Sequence, residues 1–148
     1  MDILLLEDDH NQVELIVAEL RGGFPAAKIV TISTERDFRS RFEEIAVNPP
    51  AIFLIDIMVR WTDSEPNLEV RPQEVKEEGF YRAGLRCLKL IKLDDRTKDI
   101  PVIFYTVLEN HDLTGQMDLS EKIVYLQKES SFGPLLAQIR YLTSASPP

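Results

Sequence analysis

The sequence AIFLIDIMV, residues 51–59, sets a single aspartate, Asp56, inside an otherwise apolar run. The run follows Pro49-Pro50, and its short continuous apolar character is typical of a buried strand. Burying a carboxylate is costly unless another group neutralises or uses it. Asp56 is therefore a candidate functional residue at the end of a strand.

Four further apolar segments alternate with helical patterns along the chain. Between the first two, Val13, Ile16, Val17 and Leu20 recur at the spacing of one helix face. Short apolar strands between amphipathic helices indicate an α/β fold, in which a parallel sheet is covered on both faces. The predicted strands span residues 3–6, 28–32, 51–55, 102–105 and 123–126.

A helix is predicted after each strand. Asp9 is the expected cap of the first helix, and Thr34 is the expected cap of the second. Phe38, Phe42 and Ile45 form the apolar stripe of that second helix. The remaining three helices are predicted near residues 85–95, 110–121 and 135–142.

Polar residues follow the predicted strands at one edge of the sheet, where parallel α/β sheets bind their ligands. Asp8 and Asp56 would repel each other unless one of them took up a proton or a cation neutralised them, and Mg²⁺ suits such an oxygen site. Lys128 can hold a phosphate oxygen, and Thr106 adds a hydroxyl donor. A carboxylate nucleophile among these groups is what formation of an aspartyl phosphate requires.

The composition limits the classes of function. The 148 residues fit one domain, predicted over residues 1–143, with a disordered tail at 144–148. A net charge of −8 without a basic cluster disfavours nucleic acid binding. The single cysteine, Cys87, excludes an intramolecular disulfide and suits the cytoplasm, and no segment is long enough to span a membrane.

Four motifs together resemble the receiver domains of bacterial two-component response regulators. The resemblance covers essentially the whole chain except the connection after the third strand. It implies a flavodoxin-like (βα)5 fold with a five-stranded parallel sheet in the order 2-1-3-4-5. The motifs are ILLLEDD, LIDIM, PVIFYT and VYLQK.

The resemblance implies a role for each site residue. Asp56 would accept a phosphoryl group from a histidine kinase or a histidine phosphotransfer protein. Asp8, Asp56 and the backbone carbonyl of Met58 would bind Mg²⁺, and Glu7 would act on the metal through water.

The resemblance also implies a switch. Thr106 and Lys128 would hold the phosphoryl oxygens, and Tyr125 would be the aromatic residue that moves with the threonine. The phosphorylated domain would alter contacts with a downstream protein, without a DNA-binding output domain, and a homodimer stays open. Apart from slow loss of its own phosphate, the protein is not expected to be an enzyme.

Three positions depart from the family pattern. Arg60 and Glu129 stand where the family usually has proline, and Val107 stands where it usually has a small residue. None of these changes removes a charged site residue, so they affect the switching details more than the phosphorylation.

The connection after the third strand, residues 60–82, is much longer than the usual βα loop of about 2–6 residues. A short helix is predicted at residues 73–78, ended by Gly79. Arg60, Trp61 and Arg82 are candidates for a lid over the phosphorylation site. The connection could also form a partner-recognition surface there, and a flap without a regulatory role carries equal weight with these functional interpretations. Arg60 and Arg82 could reach the phosphate, but pairing with nearby acids is the favoured interpretation for both.

Other functions compete with the phosphorylation switch. The domain could dock to proteins without phosphotransfer, although both Asp56 and Lys128 are present. A flavin protein would need a phosphate-binding loop where Glu7, Asp8 and Asp9 stand. A metal-dependent phosphatase would need a second acid at the position of Met58.

Overall fold

One parallel sheet organises the computed structural model, which describes residues 1–62, 71–79, 82–108 and 122–144. The strand order is β2-β1-β3-β4-β5, which confirms the predicted topology. All four strand pairs are parallel. The strands are β1 (Asp2–Leu6), β2 (Lys28–Ile32), β3 (Ile52–Ile55), β4 (Val102–Thr106) and β5 (Ile123–Gln127).

The central strands are mostly apolar because helices cover both faces of the sheet. In β1, Ile3 and Leu5 join one buried cluster, whereas Leu4 and Leu6 join the other. β3 and β4 divide their side chains between the two clusters in the same alternating way. The core therefore consists of two layers, one on each face of the sheet.

The helices are α1 (His10–Gly23), α2 (Glu35–Ser40), α3 (Phe42–Val47), α4 (Gln73–Glu78), α5 (Ala83–Leu93) and α6 (Gly133–Ser144). Both predicted caps are confirmed: Asp9 accepts from the backbone N–H groups of Asn11 and Gln12, and Thr34 accepts from that of Asp37.

The single helix predicted after β2 was wrong in one respect, because the chain forms two short helices there. Arg41 lies between α2 and α3 with φ −98° and ψ 4°, outside helical values. Hydrogen bonds continue across this break, since Arg41 N donates to Asp37 O and Ile45 N donates to Arg41 O. The apolar stripe consequently stays on one face, where Phe38 and Ile45 are buried.

Two predicted segments lie wholly or mostly outside the described residues. These are the helix at 110–121 and the tail at 144–148, of which Ser144 alone is described, as the last residue of α6. The short helix predicted in the long connection is confirmed as α4, with Gly79 after it at φ 75°. Within the described ranges, none of the helices has the length and apolar character needed to cross a bilayer.

Candidate phosphorylation site

The charged residues predicted to form a site lie together at the carboxyl edge of the sheet. Glu7 and Asp56 directly follow β1 and β3, and Lys128 directly follows β5. Asp56 N donates to Leu6 O over 2.9 Å, and Lys128 N donates to Thr106 O over 2.7 Å. These bonds extend the sheet ladder by one residue, so the backbone that carries each side chain is fixed.

Lys128 joins the two most buried carboxylates of the site. Its Nζ donates to Oε1 of Glu7, and it donates to Oδ2 of Asp56 over 3.1 Å. Oδ1 of Asp56 accepts from the backbone N–H of Met58 over 3.2 Å. Glu7 is 2% exposed and Asp56 is 6% exposed, so this edge of the sheet buries two acids beside one base.

Two carboxylates share one lysine here, and this changes the protonation of Glu7. Burial, followed by the negative charge of Asp56, raises the pKa of Glu7 to about 7, although the bond from Lys128 opposes the rise. Burial on its own would lower the pKa of Lys128, but Asp56 and Glu7 outweigh it and the pKa is raised. Lys128 therefore stays charged at neutral pH, while Glu7 lies near its titration point.

Asp8 pairs with a different cation. Its Oδ2 accepts from the backbone N–H of Arg60 over 2.9 Å and from Nε of the same arginine over 3.3 Å. The Asp8 side chain is 18% exposed and that of Arg60 is 60% exposed. The prediction that Arg60 pairs with a nearby acid is confirmed, and this pair lies at the position predicted to bind metal.

A cleft of about 560 Å³ brings these groups together. Asp8, Asp56 and Met58 all contribute to its wall and can offer carboxylate and carbonyl oxygens, the donor set that Mg²⁺ prefers. Within the described ranges, no three His, Cys, Asp or Glu side chains lie close enough together to hold a metal ion by themselves. The cleft is lined by Glu7, Asp8, Asp9, Gln12, Asp56, Met58, Arg60, Val107 and Lys128.

The sequence matches no protein-family model and no curated protein, but solved receiver domains match its structure along nearly the full length. The signal receiver domain of a DNA-binding response regulator from Colwellia psychrerythraea 34H is 21% identical, with a TM-score of 0.67. The match covers 97% of this chain and 98% of that one. This chain has the receiver-domain fold.

Two other solved structures have the same fold. The phosphorylated cyanobacterial phytochrome response regulator RcpA is 18% identical, with a TM-score of 0.66 and coverage of 99% of this chain and 96% of that one. The receiver domain of the sensor histidine kinase PA1611 from Pseudomonas aeruginosa PAO1 is 17% identical, with a TM-score of 0.65. That match covers 97% of this chain and 98% of that one. The PA1611 receiver domain was solved with a magnesium ion coordinated in its active-site cleft.

The two predicted switch residues lie outside the wall of the cleft. Thr106 is fully buried at the end of β4, and its hydroxyl oxygen accepts from Leu108 N over 3.3 Å. Tyr125 is half-buried and pairs in register with Phe104 of β4. It packs against the core layer to which Phe104 belongs. Both lie on strands that lead to the site.

The predicted lid residues are spread over different environments. Arg60 lines the cleft, whereas Trp61 and Arg82 are absent from its wall. Trp61 is buried, and its ring lies 5.6 Å from the guanidinium of Arg39. Its carbonyl accepts from Arg36 N over 2.9 Å, so Trp61 is held at the start of α2.

A group of charged side chains around the buried Glu35 and Arg86 fastens α4 to the domain, and sequence reasoning missed it. Arg86 donates to both oxygens of the fully buried Glu35 over 2.6 and 2.8 Å, and to Glu78 of α4 over 3.2 Å. Arg39 bonds Glu35 over 3.0 Å and Glu74 of α4 over 3.1 Å. We call these five residues the Glu35 network. It ties one part of the long connection to α2 and α5.

Two further residues near the site also escaped sequence reasoning. Gly84 lies in the first turn of α5, and a Cβ there would lie 2.6 Å from the carbonyl oxygen of Asp56. Tyr105 places its ring 5.9 Å from Nζ of Lys128. A glycine inside a helical pattern is the one signal that could have indicated the close approach.

The raised pKa of Glu7 predicts a pH effect on stability. Between its ordinary value of 4.5 and about 7, the folded protein binds more protons at Glu7 than the unfolded chain does. The free energy of unfolding should therefore fall as pH rises through this window, by at most about 1.4 kcal/mol per unit. Relative to Glu7→Gln, the native chain should lose about 1–3 kcal/mol between pH 4.5 and 8 in urea unfolding without divalent ions. An equal pH dependence for both chains would contradict the assignment.

Proposed function

We propose that this chain is a phosphorylation switch in a two-component pathway, with Asp56 as the phosphoacceptor. The observation that carries the proposal is the Asp56 carboxylate itself. It is 6% exposed, bonded to Lys128 over 3.1 Å, and placed in the same cleft wall as Asp8 and Glu7. A buried acid among further acids and a lysine is costly for folding alone, which favours a chemical role.

The transfer needs a nucleophile and charge stabilisation. One carboxylate oxygen of Asp56 forms a bond to phosphorus as the bond from phosphorus to the donor breaks, and the donor leaves with that electron pair. The donor is a phosphohistidine of a histidine kinase or phosphotransfer protein. Lys128 stays next to the carboxylate and compensates the negative charge that the phosphoryl oxygens bring. The Thr106 hydroxyl donates to a phosphoryl oxygen once its side chain turns toward the cleft.

Mg²⁺ would be held by Asp8, Asp56 and the carbonyl of Met58, with Glu7 acting through water. When bound, it supplies positive charge that lets the carboxylates and the phosphoryl oxygens approach one another. The receiver domain of PA1611 that carries magnesium, and the phosphorylated response regulator RcpA, support this assignment by their common fold with this chain.

The output of the switch is a change in protein contacts. In this proposal residues 1–143 act as one receiver domain in the cytoplasm, and Tyr125 adjusts with Thr106 when Asp56 is phosphorylated. A downstream protein, or a second copy of the chain, reads that change. The competing function is docking to proteins without phosphotransfer, on the same fold.

The test is intact mass after incubation of the full chain with acetyl phosphate and Mg²⁺. We expect one phosphate adduct on the native chain, and none on Asp56→Asn or after chelation of the metal. Asp95→Asn is the matched control, because Asp95 is an exposed acid paired with Lys98 over 2.9 Å, outside the cleft wall. It should be modified like the native chain. A folded native chain that stays unmodified would favour the docking function.

A further inference from the structure

We propose that the Arg60 side chain fills the cation position at Asp8 and competes there with Mg²⁺, so that metal binding releases the guanidinium from the carboxylate. This inference rests on the proposed function, because it concerns the same metal site. In this proposal Arg60 sets the affinity of the site for Mg²⁺ and does not act as a lid over it.

The hydrogen bonds between Arg60 and Asp8 are the first observation that supports the competition. Oδ2 of Asp8 accepts both from the backbone N–H of Arg60 over 2.9 Å and from its Nε over 3.3 Å. Each carboxylate oxygen has two lone pairs, so these two bonds use the acceptor capacity of that atom. A metal ion that binds the same oxygen must displace a donor. A metal ion that binds Oδ1 of Asp8 instead would lie close to the positively charged guanidinium of Arg60.

The distribution of positive charge in the cleft is the second observation that supports the competition. Lys128 forms ion pairs with Glu7 and Asp56, whereas Asp8 forms its ion pair with Arg60 in the part of the chain that the structure describes. The Lys128 side chain is 10% exposed, but that of Arg60 is 60% exposed. The arginine is therefore the cation that can move into solvent at little cost, since an exposed ion pair is weak.

The backbone of Arg60 is fixed separately from its side chain. Its carbonyl accepts from the backbone N–H of Glu35 over 2.9 Å, and the next carbonyl, of Trp61, accepts from Arg36 N over 2.9 Å. The guanidinium can therefore leave Asp8 while the chain stays attached to the start of α2. For the same reason, Arg60→Gln should fold, because it keeps every backbone bond and removes only the charged group.

Titration of the full chain with Mg²⁺ alone, followed by calorimetry and by the fluorescence of Trp61, the single tryptophan, tests the proposal. We expect Arg60→Gln to lower the Kd for Mg²⁺ by about two- to fivefold, the upper part of the range expected for an exposed ion pair. Arg60→Lys keeps a positive charge and should stay closer to the native Kd. Arg82→Gln removes the same charge from a residue absent from the cleft wall, and should change the Kd by less than about twofold.

A second measurement uses the native chain without substitution. The Nε–H resonance of Arg60, assigned by its absence from Arg60→Gln, should shift when Mg²⁺ is added. Equal Kd values for the native chain and Arg60→Gln, or an unmoved resonance at saturating Mg²⁺, would overturn the competition and leave the proposed function standing. No Mg²⁺ binding by either chain would overturn both. Tight binding without a phosphate adduct would overturn only the phosphoacceptor role.

Discussion

Glu35→Gln is expected to lower the free energy of unfolding by about 3–5 kcal/mol. Glu35 is fully buried and accepts two bonds from Arg86, which is itself 7% exposed. The amide keeps the shape of the carboxylate but removes its charge. Among the described residues, the more exposed Glu78 is then the acid that remains beside the buried guanidinium. Removing one member of a buried pair is costly because it leaves an uncompensated charge away from water. Urea unfolding of the full chain measures the loss.

Glu43→Gln is the matched control for this prediction. Arg96 also binds Glu43 through two parallel bonds, of 2.8 and 2.9 Å, but the Glu43 side chain is 76% exposed. Breaking that pair should cost about 0–1 kcal/mol, because water replaces the lost partner. If the two variants lost similar amounts of stability, burial would not be what makes the Glu35 pair costly to break.

Gly84→Ala is expected to destabilise the protein by about 1–3 kcal/mol. The added Cβ would lie 2.6 Å from both the carbonyl oxygen of Asp56 and Cα of Ile57. Backbone atoms of a central strand end cannot move as a flexible side chain can, so either α5 or the Asp56 segment must shift. Such a shift should also slow phosphorylation if Asp56 is the phosphoacceptor as proposed, since it would move that residue. Unfolding and the rate of adduct formation can be measured on the same samples.

Gly22→Ala separates this steric effect from helix propensity. Gly22 lies in α1, and a Cβ there would meet nothing within 4 Å. Alanine is favoured over glycine in a helix by about 1 kcal/mol, so this variant should be neutral or more stable. An equal gain in stability for Gly84→Ala would show that the close approach to β3 is unimportant.

The elements of the fold could be predicted from local patterns, but their arrangement could not. Apolar runs located all five strands, and Asp9 and Thr34 cap their helices as expected. Alternation of strands and helices does not order the strands, so the order 2-1-3-4-5 came from the family resemblance. The break at Arg41 was missed because the apolar stripe of α2 and α3 is continuous across it.

In the site, too, residues that directly follow strands could be predicted, whereas contacts between residues far apart in the sequence could not. Glu7, Asp56 and Lys128 were predictable because each directly follows a strand of a parallel sheet. The pair of Glu35 with Arg86 joins residues 51 positions apart, and each of them alone has the pattern of a solvated helix residue. The partner of Arg60 stayed open between a phosphate and an acid, because the course of the chain after Val59 decides which group it reaches.

The strand order has a consequence for the synthesis of the protein. Glu7 and Asp56 are brought together by the pairing of β1 with β3, whereas Lys128 follows β5, at the far edge of the sheet. The ribosome releases the N-terminal strands first, so the acidic half of the site is made before its lysine. Repulsion between the two carboxylates then weakens the pairing of β1 with β3 in a nascent chain. Completion of β5 brings in Lys128, which offsets part of that repulsion. The last strand of the sheet and the lysine of the site are therefore added in the same late step.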